Sequence, residues 1–251
     1  MIRDTNTRPG EGEPAVNEQP TPAVEDRMET LRREILKWNR KINLVSRVDT
    51  ETRLDALLEE CERAWRLMRA RYGNAPWFLE GQYVDLGSGA GLPGLVWAAA
   101  REHDGHRGAV FLVEPRGKRA WFLQRTTRQM ALQRVTVVRE RWGARTLPDP
   151  WTTSQSVFFS LKALKLSDGE ILKALTSPQR PGEEPAVVVI VRFLSTGTGP
   201  ELEDRSNQRT LAGDTGSPYR MIDRDYADSG RLRLGLVRYQ SQPGSLMNDL
   251  R

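Results

Sequence analysis

A glycine-rich segment between Tyr83 and Gly94 has the residue types and the spacing that could bind a nucleotide. Gly87, Gly89 and Gly91 occupy alternate positions. Glycine adopts positive φ at little cost, so this backbone can turn tightly and lie directly against a ligand. The apolar residues before the glycines predict a short buried strand, and those after them predict a helix. A strand, a glycine turn and a helix in this order predict a nucleotide-binding site.

Two carboxylates indicate which nucleotide this site would take. Glu114 ends a second apolar run, twenty residues after Gly94, where an acidic side chain can accept hydrogen bonds from ribose hydroxyls. Asp85 precedes Gly87 by two residues, and its charge there would repel a pyrophosphate. The same charge suits S-adenosylmethionine, which carries an ammonium and a sulfonium group and no phosphate. We therefore predict a methyl-donor site; a nicotinamide dinucleotide site and a glycine turn that binds nothing are the alternatives.

Strand and helix patterns alternate from residue 82 onward, which predicts a parallel sheet with helices on both faces and ligands at the carboxyl ends of its strands. The predicted fold is α/β, a Rossmann-like class I S-adenosylmethionine-dependent methyltransferase fold with an N-terminal helical extension. The predicted strands are Tyr83–Leu86, Ala109–Glu114, Val135–Val138, Ser156–Leu161 and Ala186–Phe193. The predicted helices between them are Pro93–His103, Gly117–Leu132 and Asp168–Leu175. A loop at 195–217 would lead to an antiparallel pair, Tyr219–Tyr226 and Arg231–Tyr239.

Composition divides the chain into three segments. Residues 1–21 are rich in Pro, Gly and Glu and predict a disordered tail, because they cannot bury enough apolar surface to fold. Residues 22–75 form the predicted helical extension, and residues 76–251 form the predicted methyltransferase domain. The first helix of the extension is predicted to begin at Thr21-Pro22, as N-cap and first helical position. Its apolar stripe includes Trp38, which we expect to pack in the core.

The second helix of the extension is predicted from Asp49 to Tyr72, with Gly73 as its C-cap. Cys61 lies on its apolar stripe, so we interpret it as a small buried side chain, far from the strand ends, rather than as a nucleophile. A single cysteine also rules out an internal disulfide, and two histidines argue against a metal cluster.

The overall charge suggests a polyanionic partner. The 251 residues carry 38 Lys and Arg against 33 Asp and Glu, a formal net charge of +5. Residues 1–25 are acidic, with a net charge of −3, so the remainder carries +8. No apolar run is long enough to span a bilayer, and the polar N-terminus lacks a signal-peptide core. We therefore expect a cytoplasmic protein that has no membrane partner.

The basic excess is concentrated directly after Glu114. Residues 115–145 contain nine Lys and Arg against one acid, a net charge of +8. Such a cluster beside the donor site would neutralise phosphates and hold a nucleic acid; a solvated helix face is the alternative. Lys162, which follows the fourth strand, also falls at the ligand edge of the sheet. The basic residues are Arg116, Lys118, Arg119, Arg125, Arg128, Arg134, Arg139, Arg141 and Arg145; the first five are the predicted RNA contacts.

Three sequence blocks resemble the bacterial 16S ribosomal RNA guanine-N7 methyltransferase family, once called glucose-inhibited division protein B. The first, from Trp38-Asn39 to Asn43-Leu44, is similar to the family's Trp-Asn-x-x-x-Asn-Leu. The second is the glycine segment with its Leu-Pro-Gly ending, and the third is the stretch 111–123 with its Glu-Pro-Arg-Gly-Lys-Arg core. The resemblance covers residues 28–163 and is looser beyond them.

The resemblance implies specific roles for residues of the site. Gly87 and Leu92 would contact the cofactor, Glu114 would hold its ribose, and Trp142 and Gly143 would meet its adenine. The predicted cofactor-binding set is completed by Asp85, Gly89, Gly91 and Lys162.

Departures from the family pattern bear on the substrate. The family's His-x-Leu-Asp-Ser is replaced by a segment with Thr52 and Ala56 in place of the His and Ser. Lys162 stands where the family has Arg in Ser-Arg-Ala, and a lysine cannot make a bidentate contact.

Elimination narrows the chemistry further. Methylation of cytosine C5 requires a cysteine nucleophile, and methylation of an exocyclic amine uses an Asn/Asp-Pro-Pro-aromatic loop that the sequence lacks. Guanine N7 already has a lone pair and needs no general base. This elimination is consistent with guanine N7, the target that the resemblance implies. The resemblance thus implies a monomeric S-adenosylmethionine-dependent methyltransferase acting on 16S ribosomal RNA or the small ribosomal subunit at guanine N7. A diverged methyltransferase with another substrate and a nucleic-acid-binding module with a relict cofactor fold are the alternatives.

Overall fold

The structure, a computed structural model, describes residues 22–143, 155–162, 164–176, 185–194, 219–229 and 232–241. The predicted tail at 1–21, the predicted loop at 195–217 and Arg145 lie outside the described residues. The strands are β1 Gln82–Leu86, β2 Val110–Val113, β3 Val135–Val138, β4 Ser156–Leu161, β5 Val187–Leu194, β6 Tyr219–Ser229 and β7 Leu232–Ser241. The helices are α1 Val24–Ile42, α2 Thr50–Tyr72, α3 Pro76–Leu79, α4 Gly94–His103, α5 Gly117–Gln129 and α6 Asp168–Leu175.

The seven strands form one sheet in the order β3-β2-β1-β4-β5-β7-β6. Strands β1 to β5 run parallel to one another, and β7 runs antiparallel to both β5 and β6. The strand order reverses direction at β1, which lies between β2 and β4. This switch opens a crevice at the carboxyl ends of those strands, where ligands bind in open α/β sheets.

The central strands are buried along nearly their whole length because both faces of the sheet are covered. Every residue of β1 is buried. Tyr83 and Phe158 belong to a hydrophobic cluster that includes buried residues of α1, α2 and α4. Val84 and Phe159 point to the opposite face and pack with α6. The α/β prediction is confirmed, and the buried faces of α1 and α2 share one cluster with the sheet. The division into an extension and a domain stays a prediction.

The predicted start of α1 is wrong. The helix begins at Val24 with Ala23 as its N-cap, and Pro22 precedes it; Thr21 lies outside the described residues. Ala23 makes no side-chain cap, so capping chemistry does not set this boundary. The backbone of Ala23 is extended, with a φ of −60° and a ψ of 158°, so the helical conformation starts only after it. The first turn carries buried Arg27, which pairs with Glu102 at 3.2 Å.

The other boundaries agree closely with the predictions. Gly73 is the C-cap of α2 as predicted, but its φ of −57° is right-handed rather than left-handed. Glycine is favoured there by space instead, because an added Cβ would lie 2.4 Å from the Arg69 carbonyl oxygen. Helix α5 ends at Gln129, three residues early, because the chain turns at Ala131 with a φ of +50°. The predicted antiparallel pair is confirmed by β6 and β7, and α3 was not predicted. Among the helices described, none combines the length and the apolar character needed to cross a membrane.

Candidate active site

The glycine turn follows β1 directly and lies at the strand-order switch. Gly87, Gly89 and Gly91 have φ values of +74°, +54° and +83°, a region that side chains disfavour. A Cβ added to Gly91 would lie 2.5 Å from Leu95 Cδ1, whereas one added to Gly89 would meet no atom closer than 3.7 Å. Gly91 is therefore required for packing, and Gly89 leaves space above the turn that a ligand could occupy.

Glu114 connects the end of β2 to this turn. Its Oε2 accepts a hydrogen bond from Gly89 N at 3.0 Å, and its Oε1 accepts one from Arg116 N at 2.9 Å. The residue is 3% exposed. The predicted proximity of Glu114 and the glycines is thus observed, and Glu114 also shapes the turn. Its contact with a ribose stays a prediction.

Asp85 is buried under the same turn and is 1% exposed. Its Oδ1 accepts a hydrogen bond from Ser160 Oγ at 2.6 Å, and that Oγ lies 2.8 Å from the Tyr83 hydroxyl. Within the described part of the chain, its Oδ2 lies beside Gly94 without a well-aligned hydrogen bond. Burial raises the pKa of Asp85 to about 6, an effect that Ser160 and the nearby Lys162 oppose. The carboxylate lies beneath the turn, and its contact with a cationic group of the donor stays a prediction.

Lys162 lies immediately after β4 and forms an ion pair with Glu60 of α2. Its Nζ lies 3.5 Å from Cys61 Sγ and 5.2 Å from the centre of the Phe193 ring. The predicted distance between Cys61 and the strand ends is therefore wrong, because α2 packs across the sheet and passes beside the end of β4. The prediction of a buried thiol is confirmed, and burial raises the pKa of Cys61 to about 12. Lys162 faces this cluster, and its cofactor contact stays a prediction.

The residues predicted to meet adenine lie on the α6 side of the sheet. The Trp142 ring packs edge-on against Phe159, with 5.1 Å between ring centres. Gly143 has a φ of +77°, and a Cβ added to it would lie 3.6 Å from Ala174 of α6. Their adenine contact stays a prediction, as does the cofactor contact of half-buried Leu92.

Sequence reasoning missed Leu164, which covers the first glycine of the turn. A Cβ added to Gly87 would lie 3.4 Å from the Leu164 side chain, which is nevertheless exposed. The sequence did offer a signal for Leu164, because this residue lies two positions after Lys162, at the carboxyl end of β4, where ligands are expected to bind.

The predicted RNA residues fall into two groups. Arg116, Lys118 and Arg128 are exposed. Arg119 instead donates a hydrogen bond to the Asn43 carbonyl at 2.9 Å, and Arg125 pairs with buried Glu34 at 3.1 Å. These two arginines therefore attach α5 to the end of α1, and their RNA contacts stay predictions.

The Trp-Asn block forms the end of α1 that α5 meets. Asn39 is buried, and its Oδ1 accepts hydrogen bonds from the backbone N–H groups of Leu44 and Val45. Trp38, which we expected in the core, is only half-buried at its edge.

Among the described residues, no group of three or more His, Cys, Asp or Glu could hold a metal ion.

Comparisons with known proteins agree with this arrangement. The family model described as rRNA small subunit methyltransferase G matches residues 24–156. Ribosomal RNA small subunit methyltransferase G of Halorhodospira halophila is 36% identical over 123 residues, 49% of this chain and 52% of that protein. Ribosomal RNA small subunit methyltransferase G 1 of Syntrophobacter fumaroxidans is 26% identical over 180 residues, 68% of this chain and 70% of that protein.

The fold also matches a solved structure. The crystal structure of MtNAS in complex with MTA and tNA aligns with a TM-score of 0.50 and 14% identity, over 88% of this chain and 71% of that one. This similarity shows the fold alone. The chain spans about half the length of the first curated relatives it matches.

Proposed function

The chain belongs to the rRNA small subunit methyltransferase G family, and we propose that it is an S-adenosylmethionine-dependent methyltransferase that modifies 16S ribosomal RNA at guanine N7. The observation that carries the proposal is the convergence of the glycine turn, Asp85 and Glu114 at the carboxyl ends of β1 and β2. The proposal implies action in the cytoplasm, as a monomer, on ribosomal RNA or the small ribosomal subunit.

The residues of the site fit the donor chemically. Asp85 would hold the donor's ammonium, and Glu114 would accept hydrogen bonds from its ribose hydroxyls, while the open space above Gly89 admits close approach of the ligand. Trp142 and Gly143 would bound the adenine. When bound, S-adenosylmethionine supplies an electrophilic methyl group on a positively charged sulfur.

The chain's contribution to catalysis is positioning. Guanine N7 carries a lone pair, so its methylation requires no general base. Holding two reactants in line can lower a barrier by roughly 7–11 kcal/mol at best. The exposed cations Arg116, Lys118 and Arg128 follow the donor site directly and would bind RNA phosphates near it.

Methyl transfer to the ribosome tests the proposal. Small ribosomal subunits from cells that lack their own N7 methylation are incubated with the protein and labelled S-adenosylmethionine, and the digested RNA is analysed by mass spectrometry. We expect 7-methylguanosine, and we expect Glu114→Ala to abolish it. Donor binding without label in the RNA would contradict the ribosomal assignment.

One observation favours a second candidate, a diverged methyltransferase with another substrate. The family's arginine position holds Lys162, which pairs with Glu60, and Thr52 and Ala56 replace the family's His and Ser. In that case the donor would bind, but the label would enter a different acceptor. A relict nucleic-acid-binding module would not bind the donor at all, and Glu114→Ala would leave its RNA affinity unchanged.

A further inference from the structure

One face of α5 combines an exposed aromatic ring with the predicted RNA-binding cations. Four residues of α5 follow one another at spacings of three, four and three, so they share one side of the helix. They are Lys118, Trp121, Arg125 and Arg128. The opposite side packs on the sheet through Ala120, Phe122 and other buried residues. Trp121 is 42% exposed and is one of five exposed large hydrophobic side chains among the described residues.

The Trp121 ring is held in place by the end of α1. It meets Trp38 edge-to-face with 4.8 Å between ring centres. Trp38 is itself fixed, because its Nε1 donates a hydrogen bond of 3.1 Å to buried Glu34, which also pairs with Arg125. A ring held in this way loses little conformational freedom when a ligand stacks on it.

Positive charge lies around Trp38 in this aromatic pair and is partly balanced by Glu34, which pairs with Lys37 at 4.0 Å and with Arg125 at 3.1 Å. The Nζ atoms of Lys41 and Lys37 lie 5.3 and 5.9 Å from the Trp38 ring centre, and the Arg125 guanidinium carbon lies at 5.7 Å. An apolar protein partner or an acyl chain would have to desolvate these cations. A nucleotide satisfies both features, because its base has a π face and its phosphate is anionic.

We propose that Trp121 is a stacking platform for an unpaired base of the RNA substrate, with Lys41, Lys118 and Arg128 binding the phosphates on either side. The proposal rests on the proposed function, since it assumes an RNA substrate. Helix α5 begins three residues after Glu114, and Arg119 approaches the glycine turn. A base held one turn into α5 would therefore fix the RNA beside the donor site without entering it.

The experiment separates stacking from charge. Binding of unmethylated small ribosomal subunits is measured at several salt concentrations for the wild type, Trp121→Ala, Trp121→Leu, Trp121→Phe and Lys118→Ala. Leucine keeps apolar contact with Trp38 but has no aromatic face, and phenylalanine keeps both. Ile222→Ala is the matched control, because Ile222 is 45% exposed on β6, at the opposite edge of the sheet from β3. Circular dichroism and S-adenosylmethionine affinity verify that each variant folds.

We expect Trp121→Ala and Trp121→Leu to raise the Kd for the subunit roughly 5- to 100-fold, with Trp121→Phe restoring most of the affinity. The slope of log affinity against log salt should stay at the wild-type value in the Trp121 variants and fall by about one in Lys118→Ala. Ile222→Ala should bind like the wild type.

Three results would overturn the platform. They are a Trp121→Ala affinity within twofold of the wild type, a Trp121→Leu variant that binds as well as Trp121→Phe, or no subunit binding by the wild type. The first two results, obtained with a wild type that methylates the subunit, would reject the platform alone. Absence of both methylation and subunit binding in the wild type would reject the proposed function as well.

Discussion

The Glu114 carboxylate accepts a hydrogen bond of 3.0 Å from the Gly89 backbone N–H and thereby joins the end of β2 to the glycine turn. The same carboxylate accepts a second hydrogen bond from Arg116 N, at the entrance to α5. One side chain therefore links the proposed donor site to the helix that carries the predicted RNA contacts. Its substitution should affect the shape of the turn as well as ribose binding.

Gly91→Ala should destabilise the protein more than Gly105→Ala. Both residues have positive φ, +83° and +76°, so both substitutions incur the left-handed strain of about 1–2 kcal/mol. A Cβ at Gly91 would also overlap Leu95, whereas one at Gly105 would meet no atom within 4 Å. The overlap should add about 1–3 kcal/mol to the loss in free energy of unfolding. Urea denaturation of both variants measures the difference, and equal losses would contradict the packing role of Gly91.

Asp85→Asn should change how stability depends on pH. Burial raises the pKa of Asp85 from 3.8 to about 6 in the folded protein, so the folded state binds more protons than the unfolded state between these values. The free energy of unfolding of the wild type should therefore fall by about 2–3 kcal/mol as pH rises from about 4 to about 6. Asparagine does not ionise, so the variant does not lose this stability. Its free energy of unfolding should therefore rise relative to that of the wild type as pH increases from about 4 to about 6. A stability difference that is constant from pH 4 to pH 8 would contradict the raised pKa.

Cys61→Ala should retain methyl transfer. The thiol is buried, and its pKa is raised to about 12, so it remains protonated and unreactive at neutral pH. The substitution removes one buried atom and should cost about 1 kcal/mol of stability. In the native wild type, a thiol reagent at pH 8 should modify Cys61 only after unfolding. A folded Cys61→Ala variant that binds the donor but transfers no methyl group would assign the sulfur a chemical role.

Glu34→Gln should destabilise the junction of α1 and α5. Glu34 is buried and accepts hydrogen bonds from Trp38 and Arg125. Glutamine keeps an acceptor but loses the charge that pairs with Arg125, which should cost about 1–3 kcal/mol. The control is Asp55→Asn, which breaks an exposed ion pair with Arg32 and should change stability little. Thermal unfolding measures the midpoint temperature of both variants. A midpoint for Glu34→Gln that is no lower than that for Asp55→Asn would contradict the role of Glu34 at the junction.

The sheet and the glycine turn were predictable because local sequence determines them. Apolar runs mark β1, β2 and β4, and glycines at alternate positions allow the positive φ that the turn requires. The adjacency of Glu114 and Gly89 followed from the rule that parallel strands end at one edge of the sheet.

Contacts between distant residues were not predictable from local patterns. Arg125 meets Glu34 across 91 positions, and Lys162 meets Cys61 across 101. Both contacts depend on where α1 and α2 pack on the sheet, which periodicity alone does not determine. Buried Arg27 of α1 likewise has its partner, Glu102, in another helix.

Calorimetric titration with S-adenosylmethionine tests the central claim most directly, because it measures donor binding without requiring the RNA substrate. We predict that the wild type binds S-adenosylmethionine and not NAD. Glu114→Ala should bind the donor roughly 10- to 100-fold more weakly, since the proposed ribose hydrogen bonds and the hydrogen bond from Gly89 N that shapes the turn are both lost. Glu59→Ala, which removes an exposed carboxylate paired with Arg63, should bind it like the wild type. Tight binding of NAD, or S-adenosylmethionine affinity that Glu114→Ala leaves unchanged, would contradict the account.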